Sequence, residues 1–217
     1  MLFNLGRLDG DHKGFLIFVI AYLIVIILSL SLHEYSHALS AYKNGDSTPK
    51  ATGRLTLNPF NHIDPIGMVC CALLGFGWAR PVQINPSNFR NVKRGIVWTS
   101  ISGVLMNLFL AFIGYGLYML VLKINTINVF VEFLVVLFYY MFFINLSLAV
   151  FNFLPIYPLD GFKFVEAVTK YNNSYVKFMY KYGNILLIVL LIFFDALLIN
   201  LISLVSYPIT WFWNLIL

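Results

Sequence analysis

The pentapeptide His33-Glu34-Tyr35-Ser36-His37 places two imidazoles four residues apart with a carboxylate beside the first. On a helix, residues i and i+4 lie on one face about one turn apart. Two ring nitrogens so placed can grip one divalent ion, and the intervening glutamate can take a proton from a water beside it. The alternative is a buried histidine pair satisfied by polar neighbours. Inside an apolar helix that alternative is costly, because ionisable groups there are rare and usually functional. A catalytic zinc also needs a third protein ligand and an open position for water. The other histidines are His12 and His62, and the carboxylates on the same side of the chain's apolar runs are Asp46, Asp64, Asp160 and Glu166. Asp160 follows a long apolar run within Pro158-Leu159-Asp160-Gly161. Spacing allows it to be the third ligand or equally the N-cap of the next helix. Glu166 is the alternative ligand, whereas Glu132 falls near the far end of its run.

The elements that must carry these residues are apolar. Of 217 residues, 60% are hydrophobic and 11% charged, against roughly 45–50% and about 25% in soluble domains. A chain of this size cannot hide so much apolar surface from water, so a bilayer is the expected solvent. The run 14–32 continues without a breaker into 33–42, and Asn44-Gly45-Asp46 supplies turn chemistry to stop it. About 20 residues of helix cross the hydrocarbon core, so the histidine motif sits near the far end of this first span. Further runs cover about 95–122, 129–154 and 184–205; Pro155 and Pro158 end the third. Residues 66–77 are apolar but too short to cross, which predicts a re-entrant or interfacial segment. The end of the chain, with Trp211 and Trp213, reads as an interfacial tail. The expected fold is therefore all-α and polytopic: about four transmembrane helices plus the 66–77 segment, in one domain over 1–217. Gly103, Gly114 and Gly116 inside the second run are placed for close helix approach or are simple kinks. Cys70 and Cys71 are expected to be packed thiols, and the first run a retained span rather than a signal peptide.

Charge sets the orientation. The net charge is +5, and with four crossings Lys43, Arg54, Arg80, Arg94, Lys163 and Lys181, among others, share one side. Arg7, Lys13 and Lys123 remain on the other. The positive-inside rule makes the first side cytoplasmic and both termini external, in a multi-pass cell-membrane protein. The basic residues lie between apolar runs and form no single patch, so the lipid bilayer is the expected partner and nucleic acid is not. His33–His37 and Asp160 then fall at one depth, as a shared site requires.

The histidine motif together with Asn152-Phe153-Leu154-Pro155-Ile156-Tyr157-Pro158-Leu159-Asp160-Gly161 resembles the site-2 protease family of intramembrane zinc metalloproteases, whose second motif has the form N-x-x-P-x-x-x-L-D-G. Leu57–Gly67 and Gly77-Trp78-Ala79-Arg80-Pro81-Val82 resemble a compact prokaryotic branch of it. The resemblance runs from about residue 20 to about 165. It implies one Zn²⁺ per chain held by His33, His37 and Asp160, with Glu34 as general base towards a water that attacks a peptide bond. It further implies membrane-spanning protein substrates. Asn152 matches a family asparagine near the active site and would orient substrate, or else bond between helices. One departure is Gly103-Val104-Leu105-Met106-Asn107, where the family often has G-P-x-x-N. Val104 removes the kink a proline would make. His62, between Asn58-Pro59 and Asp64-Pro65, would either shape the substrate entrance or bond the backbone as a turn residue. A zinc transporter would instead show repeated ligands or inverted repeats, and an inactive scaffold would not need Glu34. Substrate identity and oligomeric state are not encoded in any readable motif.

Overall fold

The computed structural model describes residues 12–67, 70, 79–126, 128–170 and 172–217. The described residues are helical with no strand; one isolated antiparallel bridge joins Ile63 and Ala79. The long helices are α1 (His12–Lys43), α3 (Val92–Leu122), α4 (Val129–Asn152), α6 (Ser174–Phe193) and α7 (Asp195–Ile216). Short helices are α2 (Thr48–Ala51) and α5 (Asp160–Val168). The all-helical, polytopic expectation holds. All five long helices have the length and hydropathy to cross a membrane, one more than the four expected. Of the segment expected to be re-entrant, 66–77, only Ile66, Gly67 and Cys70 fall within the described residues, and Cys70 is a free thiol.

Two rows of residues explain the core. Along α1, Ile17, Ala21, Val25, Ser29, His33, His37 and Ala41 are all buried, a strict four-residue spacing. Along α3, Gly95, Thr99, Gly103, Asn107 and Ala111 form the matching row. Rows four apart are the ridges of a helix surface. Most are small apart from the site residues, with Ile17 and Val25 the bulkier exceptions, so the two helices approach closely. α4 packs on both, and Gly114 of α3 takes part: a Cβ there would stand 2.8 Å from the Phe142 backbone nitrogen. Gly103 and Gly114 are therefore close-approach glycines and not kinks. α3 runs unbroken through Val104, which is buried.

α1 stops where the turn residues stand. Gly45 adopts φ +113°, a conformation glycine takes without strain. The carboxylate of buried Asp46 then accepts from Thr48 N–H and Oγ1, Asn85 N–H and Asn88 Nδ2, at 2.6–3.0 Å. One side chain thus ties the end of α1 to the loop that leads into α3.

The fourth apolar run, 184–205, is split. α6 ends at Phe193 and α7 restarts at Asp195, whose carboxylate lies in the first turn, where the helix dipole favours a negative charge. The tail expected to be interfacial is the second half of α7. Trp213 covers Gly116 and donates Nε1–H to the Phe112 carbonyl at 2.9 Å. Contacts also fix where the chain ends. α6 begins beside the α4–α5 turn, where Tyr175 bonds the Pro155 carbonyl and Tyr180 donates to Glu166. α7 finishes with Leu217 O accepting from Lys123 Nζ at the far end of α3. Lys13 pairs with Glu132 at that same end, where α1 starts. The start of α1 and the end of α7 therefore share one end of the bundle, and α6 and α7 together make one passage between ends.

Candidate metal centre

His33 lies 21 residues into α1, about 31 Å from its start at 1.5 Å per residue, roughly one hydrocarbon thickness. Asp160 opens α5. A turn closed by Leu159 N–H to the Ile156 carbonyl (2.8 Å) leads into it, and Gly161 seats it. Gly161 lies so close to the Phe153 and Leu154 carbonyls that no Cβ fits, which folds α5 back onto the end of α4. Phe162, 1% exposed, anchors the turn. Asp160 is not the N-cap: that position is Leu159, and no side chain caps the helix.

The three side chains meet. His33 Nε2 and His37 Nε2 are 3.0 Å apart, and Asp160 Oδ2 is 3.1 and 3.0 Å from them. All three residues are buried, and they form the metal-competent group among the described residues. The other ring nitrogens decide the tautomers. His37 Nδ1 is 2.6 Å from the Thr99 carbonyl, which can only accept, so Nδ1 carries the hydrogen. His33 Nδ1 donates in the same way to Asn107 Oδ1 at 2.8 Å. In the neutral rings both Nε2 atoms then present lone pairs towards each other and towards a carboxylate oxygen. Three acceptors 3.0–3.1 Å apart repel unless a cation lies among them. The edge of a zinc tetrahedron with bonds of about 2.0–2.1 Å is about 3.4 Å, so the spacing and the donor set both fit such an ion.

The remaining Asp160 oxygen, Oδ1, accepts from Lys163 Nζ at 2.9 Å. Burial raises the Asp160 carboxyl, and the Lys163 ammonium at Oδ1 opposes that rise. Burial lowers the Lys163 ammonium, yet Asp160, then Glu34, more than restore it.

Glu34 stands beside the centre, and its Oε2 accepts from the Val82 backbone N–H at 3.0 Å. The segment 79–82 is held in turn by Arg80 N–H to the His62 carbonyl at 2.7 Å. His62 is fully buried and donates Nε2–H to the Thr56 carbonyl at 2.8 Å, a turn residue bonding backbone. Glu166 is engaged by Tyr180 at 2.7 Å, and Glu132 pairs with Lys13; neither joins the triad. Asn152 lines the same cleft as Glu34, and its Nδ2 donates to the Leu148 carbonyl of its own helix at 3.1 Å.

Sequence reasoning named Asn107 only within the 103–107 motif and Gly103 there and among the close-approach glycines, passed over Thr99, and assigned none of the three to the histidines. Asn107 and Thr99 orient the histidines, and Gly103 makes room for them: a Cβ there would lie 2.5 Å from His37 Nε2 and 2.6 Å from the His33 ring. Their four-residue spacing was the available signal. The centre opens on a cleft of about 560 Å³. Apolar side chains line it, Ile26 and Leu30 of α1, Phe143 and Ile144 of α4, Leu191 of α6 and Leu198 of α7, and Glu34, Asp160 and Lys163 lie at its polar end.

A polytopic helical bundle with a His-x-x-x-His and aspartate centre against an apolar cleft defines a class of membrane-embedded metalloproteases. The profile of Peptidase family M50 matches residues 121–193, which include Asp160 but not the histidine motif. "Putative zinc metalloprotease YwhC" of Bacillus subtilis is 41% identical over 152 residues, 66% of each chain. "Putative zinc metalloprotease Rip2" of Mycolicibacterium smegmatis is 29% identical over 121 residues, 52% of this chain and 46% of that one. The chain thus spans about two thirds of the first relative's length and under half of the second's. No solved structure matches it. The chain belongs to peptidase family M50, the family of the site-2 proteases.

Proposed function

We propose that this chain is an intramembrane zinc metalloendopeptidase that hydrolyses peptide bonds of membrane-spanning proteins, with one zinc per chain. The observation that carries this reading is the meeting of two Nε2 lone pairs and Asp160 Oδ2, with both imidazole hydrogens committed elsewhere. His33, His37 and Asp160 would hold the ion. When bound, zinc supplies Lewis acidity, acidifying water and polarising a carbonyl.

The chain's own groups do the rest. Glu34 Oε2 is pinned by Val82 N–H, which leaves Oε1 to take the proton of the attacking water and pass it to the departing amine. The substrate segment lies in the cleft between α1, α4 and the α6–α7 arm, whose walls suit an unfolded stretch of a transmembrane helix. Asn152 lines that cleft and orients the substrate backbone there. Burial of the polar end keeps bulk water from screening the centre. Most of the described lysines and arginines lie towards the end of the bundle that carries the centre, with Lys13 and Lys123 at the other, so the first end faces the cytoplasm and both termini face outwards.

The test compares detergent-purified wild type with Glu34→Gln for bound zinc and for cleavage of single-span membrane peptides. Both should bind about one zinc, and only wild type should cut, with the variant slower by at least about 10²-fold. Absence of zinc from both would sink the reading.

A further inference from the structure

Among the described residues Lys163 is the cation lining the cleft, and its bond to Asp160 has a consequence for coordination. A carboxylate can bind a metal through one oxygen or two. Asp160 directs Oδ2 at both histidines and gives Oδ1 to Lys163 Nζ at 2.9 Å. The pair is three residues apart on α5, so one helical turn sets its geometry. Asp160 itself is buried, with its side chain 7% exposed, while that of Lys163 is 51% exposed. A buried carboxylate oxygen with no partner would be costly, and turning it to the metal would be the cheapest relief.

We infer that Lys163 is a positioning residue that holds Asp160 Oδ1 away from the metal. Asp160 would thereby offer a bound ion one oxygen, which would leave room for water beside it. The inference rests on the zinc-site reading above. It concerns an outer partner of a ligand, a class whose loss typically weakens metal binding about 10–100-fold. Arginine, with its own fixed donors, should replace lysine here; methionine, of similar length and without charge, should not.

Wild type, Lys163→Met, Lys163→Gln and Lys163→Arg would be purified without metal. Zinc affinity would be measured by competition with a chromophoric chelator, and Co²⁺ loading by its visible spectrum. Four-coordinate Co²⁺ absorbs more strongly than five-coordinate. The Met and Gln variants should bind zinc about 10–100-fold more weakly and show a weaker Co²⁺ band. Arginine should restore both, and the metal-free melting temperatures should agree. Wild-type affinity and band intensity in the Met variant would overturn the inference while leaving the zinc site intact. An affinity loss that arginine does not restore, or one accompanied by lower metal-free melting in Met and Gln alike, would assign Lys163 to the fold and also overturn it. A wild type that binds no zinc would remove the zinc-site reading itself.

Discussion

At the scale of single residues, His33 Nε2, His37 Nε2 and Asp160 Oδ2 converge at 3.0–3.1 Å, a donor set that fits a cation. Asp160→Asn puts an amide where a carboxylate faces two lone pairs, so bound zinc should fall below detection. Glu166→Gln alters only a bond to Tyr180 and should leave zinc at one per chain. Measuring zinc in the two variants side by side distinguishes an aspartate from a glutamate ligand. Asn107→Leu removes the acceptor of His33 Nδ1–H and frees that ring to adopt either tautomer. Zinc affinity should drop about 10–100-fold, read by the same chelator competition. Equal affinity in the leucine variant would mean that Asn107 packs without orienting.

At the scale of elements, the α1 and α3 rows must stay small. Gly103→Ala would drive a methyl into both imidazoles, at 2.5 and 2.6 Å before relaxation. Overpacking of this kind costs about 1–3 kcal/mol. Melting temperature and zinc content should fall together. Gly114→Ala, against the α4 backbone at 2.8 Å, should lower melting without a specific change in zinc affinity. The Asp46 knot makes a separate, pH-dependent contribution. Burial raises its carboxyl, but bonds from Thr48, Asn88 and Asn85 outweigh this and hold it below its ordinary value. A depressed folded-state pKa means stability that is present above the unfolded value of about 3.9 and lost as pH falls through the folded one. Wild type should therefore melt higher than Asp46→Asn at neutral pH, and the gap should close in acid. A gap independent of pH would show that the amide's shape, not the charge, matters.

At the scale of the whole molecule, the arrangement of α6 and α7 decides the topology. Five spanning helices taken independently would put the termini on opposite faces. The Lys123–Leu217 and Lys13–Glu132 contacts put the start of α1 and the end of α7 at one end. Cysteines introduced at Leu217 and at Lys123 should react with an impermeant thiol reagent from the same side, and one at Lys43 from the other. Labelling of positions 217 and 43 from the same side would rule out a single passage by α6 and α7.

Much of this is legible in the residues themselves. The helix carrying His33–His37, its stop at Asn44-Gly45-Asp46 and the all-helical class follow from local rules: apolar run length, four-residue spacing and turn chemistry act within a few residues. The count of long helices did not, because one carboxylate at Asp195 inside an apolar stretch does not announce whether a helix tolerates it or restarts there. Asp160 likewise stood open between ligand and cap. Its role depends on where α5 folds back over α4, and that depends on Gly161 having no side chain beside two carbonyls. Asn107, Thr99 and Gly103 lie 62 to 74 residues from the histidines they support, or touch them only through ring packing. The sequence alone determined which side chains could bind a metal and on which helix two of them ride. Only the tertiary structure decided the placement of Asp160 beside the histidines, the tautomers and the close approach, because those are set by contacts between helices that no local pattern encodes.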